Sequence, residues 1–142
     1  MAKLGKMPLM FWMIGSALLF AQSPPAQGTI HIYRNRISIR QTLHPLVSCD
    51  AFPVVSIQNG RVYTMKASAG RHVFRTADDL PGLQVDIEGG KEYFIRIDYP
   101  PNASYQIRAS PVLVAPELGR MEIEKLRPLD AQYIQAATCG NP

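Results

Sequence analysis

Apolar and polar residues alternate along most of the chain after residue 28, with the period of two that is typical of half-buried β-strands. Leu83, Val85 and Ile87, for example, alternate with Gln84 and Asp86. Gly, Pro and Asn residues, which favour turns, separate the alternating segments. Strands are predicted over residues 29–34, 51–58, 61–67, 71–76, 83–87, 92–99 and 104–115. About seven short strands at this spacing predict an all-β fold, an antiparallel β-sandwich.

Two local signals add a turn and a helix to this pattern. Asn59-Gly60 lies between two apolar segments and predicts a hairpin with a type I′ turn, which needs positive φ at both central positions. Residues 116–126 lose the alternation and begin with a proline, which suits the first turn of a helix. They predict a short helix near the C-terminus, with a strand over residues 120–126 as the alternative.

The N-terminal residues have the order of a secretory signal peptide. Lys3 and Lys6 precede an apolar run of 12 residues, and small residues and a Pro-Pro pair follow it. The run is shorter than the roughly 18 residues of a membrane-spanning helix. We therefore predict a signal helix in residues 1–23, with an uncleaved anchor as the alternative. The rest divides into a linker (24–28), a β-sandwich domain (29–129) and a C-terminal tail (130–142).

Charge and export restrict the partners. The chain has 15 Lys and Arg against 11 Asp and Glu, and Lys3 and Lys6 belong to the signal segment. The remaining domain is only weakly basic, which does not favour nucleic acid. We expect an envelope or extracellular protein or ligand as partner, in the periplasm or outside the cell. Contact with a membrane is expected only through the N-terminal segment, if it stays uncut.

The chain has two cysteines, Cys49 and Cys139. In an oxidising compartment such a pair predicts one disulfide. The long loop that it closes implies a stabilisation of about 4 kcal/mol on the chain-entropy model. The bond would also tie down the C-terminal tail. The alternative is that both thiols are free.

The remaining polar residues show no catalytic or metal-binding pattern. His31, His44 and His72 match no metal-ligand spacing, so no metal site and no cofactor is predicted. His44 lies five residues before Cys49, but sequence proximity does not place an imidazole against a thiol, and export favours a bonded cysteine. The acids are scattered along the strands, without the carboxylate pair of a glycosidase.

Three segments resemble a bacterial family of small exported domains of unknown function. They are Ile32-Tyr33-Arg34, the turn residues 69–72 with Gly70 and His72, and residues 89–96, which read GGKEYFIR. Members of that family typically read IYR, then a G-x-H turn, then GK-x-YYIR. A similar rhythm occurs in PEGA-like and carboxypeptidase-regulatory-like β-sandwiches. The resemblance spans roughly residues 29–129 and implies a sandwich fold without known catalytic residues.

These observations favour a non-enzymatic exported domain that serves the cell envelope as a binding or structural accessory. Tyr33, Arg34 and His72 are the candidate binding residues. One alternative is a secreted hydrolase whose site is assembled from distant residues, with candidates His31, His72, Asp78, Asp79 and Arg96. A second alternative is an inhibitor-like effector, which the disulfide-tied tail suggests.

Overall fold

A computed structural model describes Gly5 and residues 26–38, 40–100 and 108–139 of the chain. The predicted signal helix and residues 104–107 of the predicted last strand lie outside the described residues. The strands are β1 (Gln27–Tyr33), β2 (Leu46–Cys49), β3 (Phe52–Ser56), β4 (Arg61–Ser68), β5 (Gly70–Arg75), β6 (Leu83–Ile87), β7 (Glu92–Asp98), β8 (Ser110–Val114), β9 (Arg127–Pro128) and β10 (Thr138–Cys139). One helix, α1 (Pro116–Ile123), follows β8, and a short 3₁₀ turn spans Ala131–Tyr133.

The strands form two sheets. The mixed sheet has the order β10-β4-β1-β7-β8, with β9 also beside β4, and the antiparallel sheet has the order β3-β2-β5-β6. In the mixed sheet β1 is parallel to β7, and β4 is parallel to both β9 and β10. The prediction of a wholly antiparallel arrangement is therefore wrong for this sheet. Alternation reports which face of a strand is buried, but it carries no information on the direction of the neighbouring strand.

Both sheets contribute to one hydrophobic core. Ile30, Ile95 and Met65 point into it from the mixed sheet, and Val47 and Phe74 from the antiparallel sheet. The chain passes between the sheets from β1 to β2, from β3 to β4, from β4 to β5 and from β6 to β7. The pairs β2–β3, β5–β6 and β7–β8 are antiparallel neighbours within one sheet. The mostly-β prediction is confirmed at this level.

The turn at residues 59–60 differs from the prediction. Asn59-Gly60 joins β3 to β4, which belong to different sheets, so the segment is not a hairpin. Gly60 has a φ of 70°, but Asn59 is not in the positive region, as a type I′ turn would require. The turn with positive φ at both positions is Asp50-Ala51, with φ values of 51° and 70°, between β2 and β3.

Helix α1 confirms the predicted C-terminal helix, and the alternative strand is wrong. The helix covers the outer face of the mixed sheet, where Tyr33, Phe94 and Val114 form a second small core. Gly119 of α1 lies directly on the ring of Phe94 and leaves no space for a side chain there. Both faces of the sheet are therefore covered at this point. Within the described residues, no helix has the length and apolar character needed to cross a membrane.

The predicted tail makes contacts with the mixed sheet. Thr138 and Cys139 pair in parallel with Lys66 and Ala67 of β4. Tyr63 of the same strand donates a hydrogen bond from its hydroxyl to the carbonyl of Ala136, at 2.7 Å. These contacts bring the C-terminal cysteine to the edge of the core.

Candidate functional site

The three candidate binding residues are buried and do not share one surface. Tyr33 is 0% exposed, Arg34 1% and His72 4%. Tyr33 is the last residue of β1 in the mixed sheet and Arg34 directly follows the strand, whereas His72 lies on β5 of the antiparallel sheet. The structure therefore defines two separate places to examine, one around Arg34 and one around His72.

Tyr33 belongs to a polar network that fastens helix α1 to the mixed sheet. Its hydroxyl donates to Oε1 of Glu122 at 3.1 Å, and Nη1 of Arg96 donates to the same oxygen at 2.8 Å. The side-chain amide of Asn35 donates to Oε2. Burial raises the pKa of Tyr33, and the negative charge of Glu122 raises it further. Burial alone would raise the pKa of Glu122, but the hydrogen bonds from Asn35 and Arg96 more than offset this and lower it.

Arg34 is held by a loop that immediately follows it in sequence. Its Nη1 donates to the carbonyl of Leu43 at 2.6 Å, and its Nη2 donates to the carbonyl of Arg40 at 2.7 Å. Arg40 adopts a left-handed φ of 60°, and its carbonyl also accepts the backbone N–H of Leu43 at 3.2 Å. The buried Nε of Arg34 has no hydrogen-bond partner among the described residues.

No Asp or Glu carboxylate pairs with the charge of Arg34. All 11 Asp and Glu residues of the chain lie within the described residues, and none of them is among the groups that shift the pKa of Arg34. The guanidinium lies over the ring of Tyr99, with 4.9 Å from Cζ to the ring centroid, and Arg40 lies over the same ring at 5.6 Å. Burial lowers the pKa of Arg34; Tyr99 opposes this change, and the neighbouring charge of Arg40 adds to it.

Arg34 lines a cavity of about 350 Å³, which we call the Arg34 cavity. This volume lies within the range of small-molecule sites in proteins. Asp98 also lines the cavity, but its carboxylate is paired with Arg96, whose Nε donates to both oxygens at 2.8 and 3.1 Å. Among the described residues, those that line the cavity are Arg34, Asn35, Ile37, Ile97, Asp98, Tyr99, Pro100 and Ser110. The cavity is thus lined by apolar residues together with the buried Arg34.

The second place is the junction between the two sheets. Cys49 at the end of β2 and Cys139 in β10 form a disulfide, with 6.0 Å between their Cα atoms. This is the pairing that the sequence predicts, and the distance suits a disulfide. Because β2 and β10 belong to different sheets, the bond links the two sheets covalently.

His72 lies against this disulfide. Its Nδ1 is 2.6 Å from Oδ2 of Asp50, and its Nε2 is 2.7 Å from the carbonyl oxygen of Ser68. The other carboxylate oxygen of Asp50 accepts the backbone N–H of Val73 at 2.9 Å. The sulfur of Cys139 is 3.5 Å from His72 Nδ1 and 3.8 Å from Asp50 Oδ2.

We call Cys49, Asp50, His72 and Cys139 the disulfide corner. One side-chain atom of each, of a type that can bind a metal, lies within 4.8 Å of the others. The sequence did not predict this cluster because its members come from three parts of the chain. Asp50 and His72 are 22 residues apart and the cysteines 90, so that no local spacing reveals the group.

The residues named for a hydrolase site do not converge. His31 contacts Thr64 at 2.7 Å, and Arg96 binds Asp98 and Glu122. His72 pairs with Asp50, and Asp79 pairs with Arg108. Asp78 is exposed. None of these contacts joins two members of the predicted set.

No protein-family model, curated protein or solved structure matches this chain. The resemblance to PEGA-like and carboxypeptidase-regulatory-like domains therefore stays a prediction.

Proposed function

We propose that this chain is an exported β-sandwich domain that acts in the cell envelope as a non-enzymatic binding accessory, and that its ligand is a small apolar carboxylate. The observation that carries this proposal is the guanidinium of Arg34. Arg34 is buried, it lines a cavity, and its guanidinium has no carboxylate partner among the described residues.

The hydrophobic core shared by the two sheets supports the proposed sandwich fold, and the disulfide supports the proposed export. Two sheets that share one core and are linked by Cys49–Cys139 suit a sandwich. Disulfides persist mainly in oxidising compartments, which supports a periplasmic or extracellular location. The predicted signal segment is the sequence feature that agrees with this location.

A buried charge without a counter-ion is costly, because the protein interior replaces water with a medium of low polarity. Two backbone carbonyls hold the Nη groups of Arg34, and the ring of Tyr99 offers its negative face. Neither supplies a full negative charge. A carboxylate in the cavity would supply that charge. A rotation of the Arg34 side chain that exposes its buried Nε–H would let the carboxylate accept this unpartnered group as well.

The remaining walls define the rest of the ligand. Ile37, Ile97 and Pro100 are apolar, so an aliphatic group attached to the carboxylate would be removed from water there. Arg40, whose guanidinium also lies over the ring of Tyr99, adds positive charge beside Arg34. A short aliphatic acid, such as an acylated amino acid or a peptide C-terminus, has this chemistry.

Isothermal titration calorimetry with two probes of nearly equal shape tests the proposal. N-acetyl-leucine carries the carboxylate, and N-acetyl-leucinamide replaces it with an uncharged amide. We expect the acid to bind at least ten-fold more tightly than the amide, and Arg34→Met to abolish this preference. Arg36→Met removes one positive charge from an exposed neighbour and should leave binding unchanged.

Two results would refute the proposed ligand class: equal affinity for acid and amide, or retention of the preference in Arg34→Met. Circular dichroism checks that the variant is folded. If Arg34→Met does not fold, the affinity of Arg34→Lys for the acid tests the ligand class instead. This variant keeps the positive charge but loses the Nε–H and the planar guanidinium. Affinity for the acid should fall in this variant as well.

A further inference from the structure

The four residues of the disulfide corner carry the side-chain chemistry of a zinc site. Thiolate, imidazole and carboxylate are the usual zinc ligands, and structural zinc sites are four-coordinate. Here one such atom from each of Cys49, Asp50, His72 and Cys139 lies within 4.8 Å of the other three. In the disulfide form the sulfurs are bonded to each other and are not available as thiolates.

We infer that reduction of the Cys49–Cys139 bond converts the disulfide corner into a tetrahedral binding site for a thiophilic divalent cation, zinc. This inference does not depend on the proposed carboxylate ligand, because the Arg34 cavity shares no residue with the disulfide corner.

Two of the distances in the disulfide corner already match those that the ion requires, and two have to increase. Tetrahedral zinc, with bonds of about 2.3 Å to sulfur and about 2.0 Å to nitrogen or oxygen, sets sulfur–nitrogen and sulfur–oxygen distances of about 3.5 Å. Cys139 Sγ lies 3.5 Å from His72 Nδ1 and 3.8 Å from Asp50 Oδ2. The Nδ1–Oδ2 pair, now 2.6 Å apart, has to open to about 3.3 Å, and the sulfurs have to part to about 3.8 Å.

His72 and Asp50 each make a further hydrogen bond of the kind that orients metal ligands. A metal-bound histidine usually donates its other ring N–H to a carbonyl or a carboxylate, which fixes the ring. His72 Nε2 makes this contact with the carbonyl of Ser68, so that Nδ1 faces the sulfurs. Asp50 Oδ1 is fixed by the N–H of Val73, which leaves Oδ2 on the side of His72.

The exposure of the four residues indicates how a cation would enter the disulfide corner. Cys49, Cys139 and His72 are at most 4% exposed, whereas the side chain of Asp50 is 37% exposed. Asp50 lies on the tight turn between β2 and β3, at the protein surface. A cation would therefore reach the corner past this carboxylate.

The chemical balance is simple. A dithiol reductant gives two electrons and two protons to the Cys49–Cys139 bond, which becomes two thiols, and the reductant becomes a disulfide. On binding zinc, the two thiols release their protons, and the proton between His72 and Asp50 is also released to solvent. A disulfide oxidant would take two electrons from the two thiolates and two protons from solvent and would become a dithiol. The Cys49–Cys139 bond would then re-form and release the cation.

Cobalt(II) binding by the purified protein tests the inference. The chain is reduced with dithiothreitol, separated from it without oxygen, and titrated with Co²⁺. We expect one ion per chain, with sulfur-to-cobalt charge-transfer absorption and the intense visible bands of tetrahedral cobalt. The oxidised chain should show neither. Asp50→Asn and His72→Gln should weaken binding at least ten-fold, and Asp86→Asn, at an exposed carboxylate on β6, should not change it.

Two outcomes overturn the inference: no charge-transfer absorption with the reduced wild-type chain, or unchanged affinity in Asp50→Asn. Asp50 is a turn residue with an exposed side chain, so this variant decides if His72→Gln does not fold. Circular dichroism follows the reduced chain in parallel. If reduction unfolds it, Zn²⁺ must restore the β spectrum, and failure to do so equally overturns the inference.

Discussion

The guanidinium of Arg34 lies over the ring of Tyr99, with 4.9 Å between Cζ and the ring centroid, and that of Arg40 lies over the same ring at 5.6 Å. Two positive charges therefore share one aromatic ring beside a cavity. The carbonyl of Arg40 is one of the two acceptors that hold Arg34. The ring and the carbonyl stabilise the two cations only in part, because neither carries a full negative charge. An anion in the cavity would supply that charge.

The first prediction concerns the ring of Tyr99. Tyr99→Leu removes the aromatic face, and a cation–π contact of this kind contributes about 0.5–2 kcal/mol. With Arg34 less firmly positioned, affinity for N-acetyl-leucine should fall several-fold in calorimetry. Tyr99→Phe keeps the face and should bind like the wild type. Equal affinities for the Leu and Phe variants would contradict this role of the ring.

The second prediction concerns the link between the two sheets. Replacing both Cys49 and Cys139 by Ser should lower the free energy of unfolding by about 4 kcal/mol, because the bond closes a long loop. Denaturation by guanidinium chloride measures the difference. Dithiothreitol should destabilise the wild type and leave the double variant unaffected. Equal stability of the two proteins would show that the bond adds no constraint.

The third prediction concerns the attachment of helix α1. Glu122→Gln removes the charge that pairs with Arg96 and puts an amide donor next to that of Asn35. The free energy of unfolding should fall by about 1–3 kcal/mol at neutral pH. Glu124→Gln, at an exposed carboxylate just after the helix, is the matched control and should change it by less than about 0.5 kcal/mol.

The same variant should alter the pH dependence of stability. The pKa of Glu122 is lower in the folded chain than in the unfolded one, so its contribution is present above the unfolded pKa. It is lost as the pH falls through the folded value. The difference between wild type and Glu122→Gln should therefore shrink in acid. A difference that stays constant down to about pH 3 would contradict the assignment.

The fourth prediction concerns the contact between helix and sheet. Gly119→Ala should favour the helix by about 1 kcal/mol in isolation. In this fold the added Cβ would lie 2.5 Å from Phe94 Cβ, so we expect a net loss of about 1–3 kcal/mol. Met121→Ala, at a position 62% exposed on the same helix, should have little effect. A stabilised Gly119→Ala protein would show that α1 does not pack as described.

Local patterns predict the strands well where one face is buried. Residues 83–87 alternate cleanly, and β6 covers the predicted range. β2 was not predicted, because it has only four residues and follows a polar segment. Asn59-Gly60 has the composition of a hairpin turn, but the chain there passes from one sheet to the other. Whether the chain turns back as a hairpin or crosses to the other sheet depends on burial of the whole core rather than on the turn residues.

The sites depend on contacts that no short segment contains. The two cysteines were paired from composition and compartment alone, since they are 90 residues apart. A family resemblance points to Arg34, but the sequence does not reveal that the carbonyls of residues 40 and 43 hold its guanidinium or that it has no Asp or Glu partner. His72 was named in the same way, and only the fold brings it to Asp50 and the disulfide.

The Nε–H of Arg34 offers the most direct test of the central claim, which is that this guanidinium binds a carboxylate. Its NMR signal, assigned by its loss in Arg34→Lys, can be followed while N-acetyl-leucine is added to the nitrogen-15-labelled protein. We predict that the signal moves downfield and that its proton exchanges more slowly with water, whereas N-acetyl-leucinamide leaves it unchanged. A signal that does not move at saturating acid, or that responds equally to the amide, would contradict the claim.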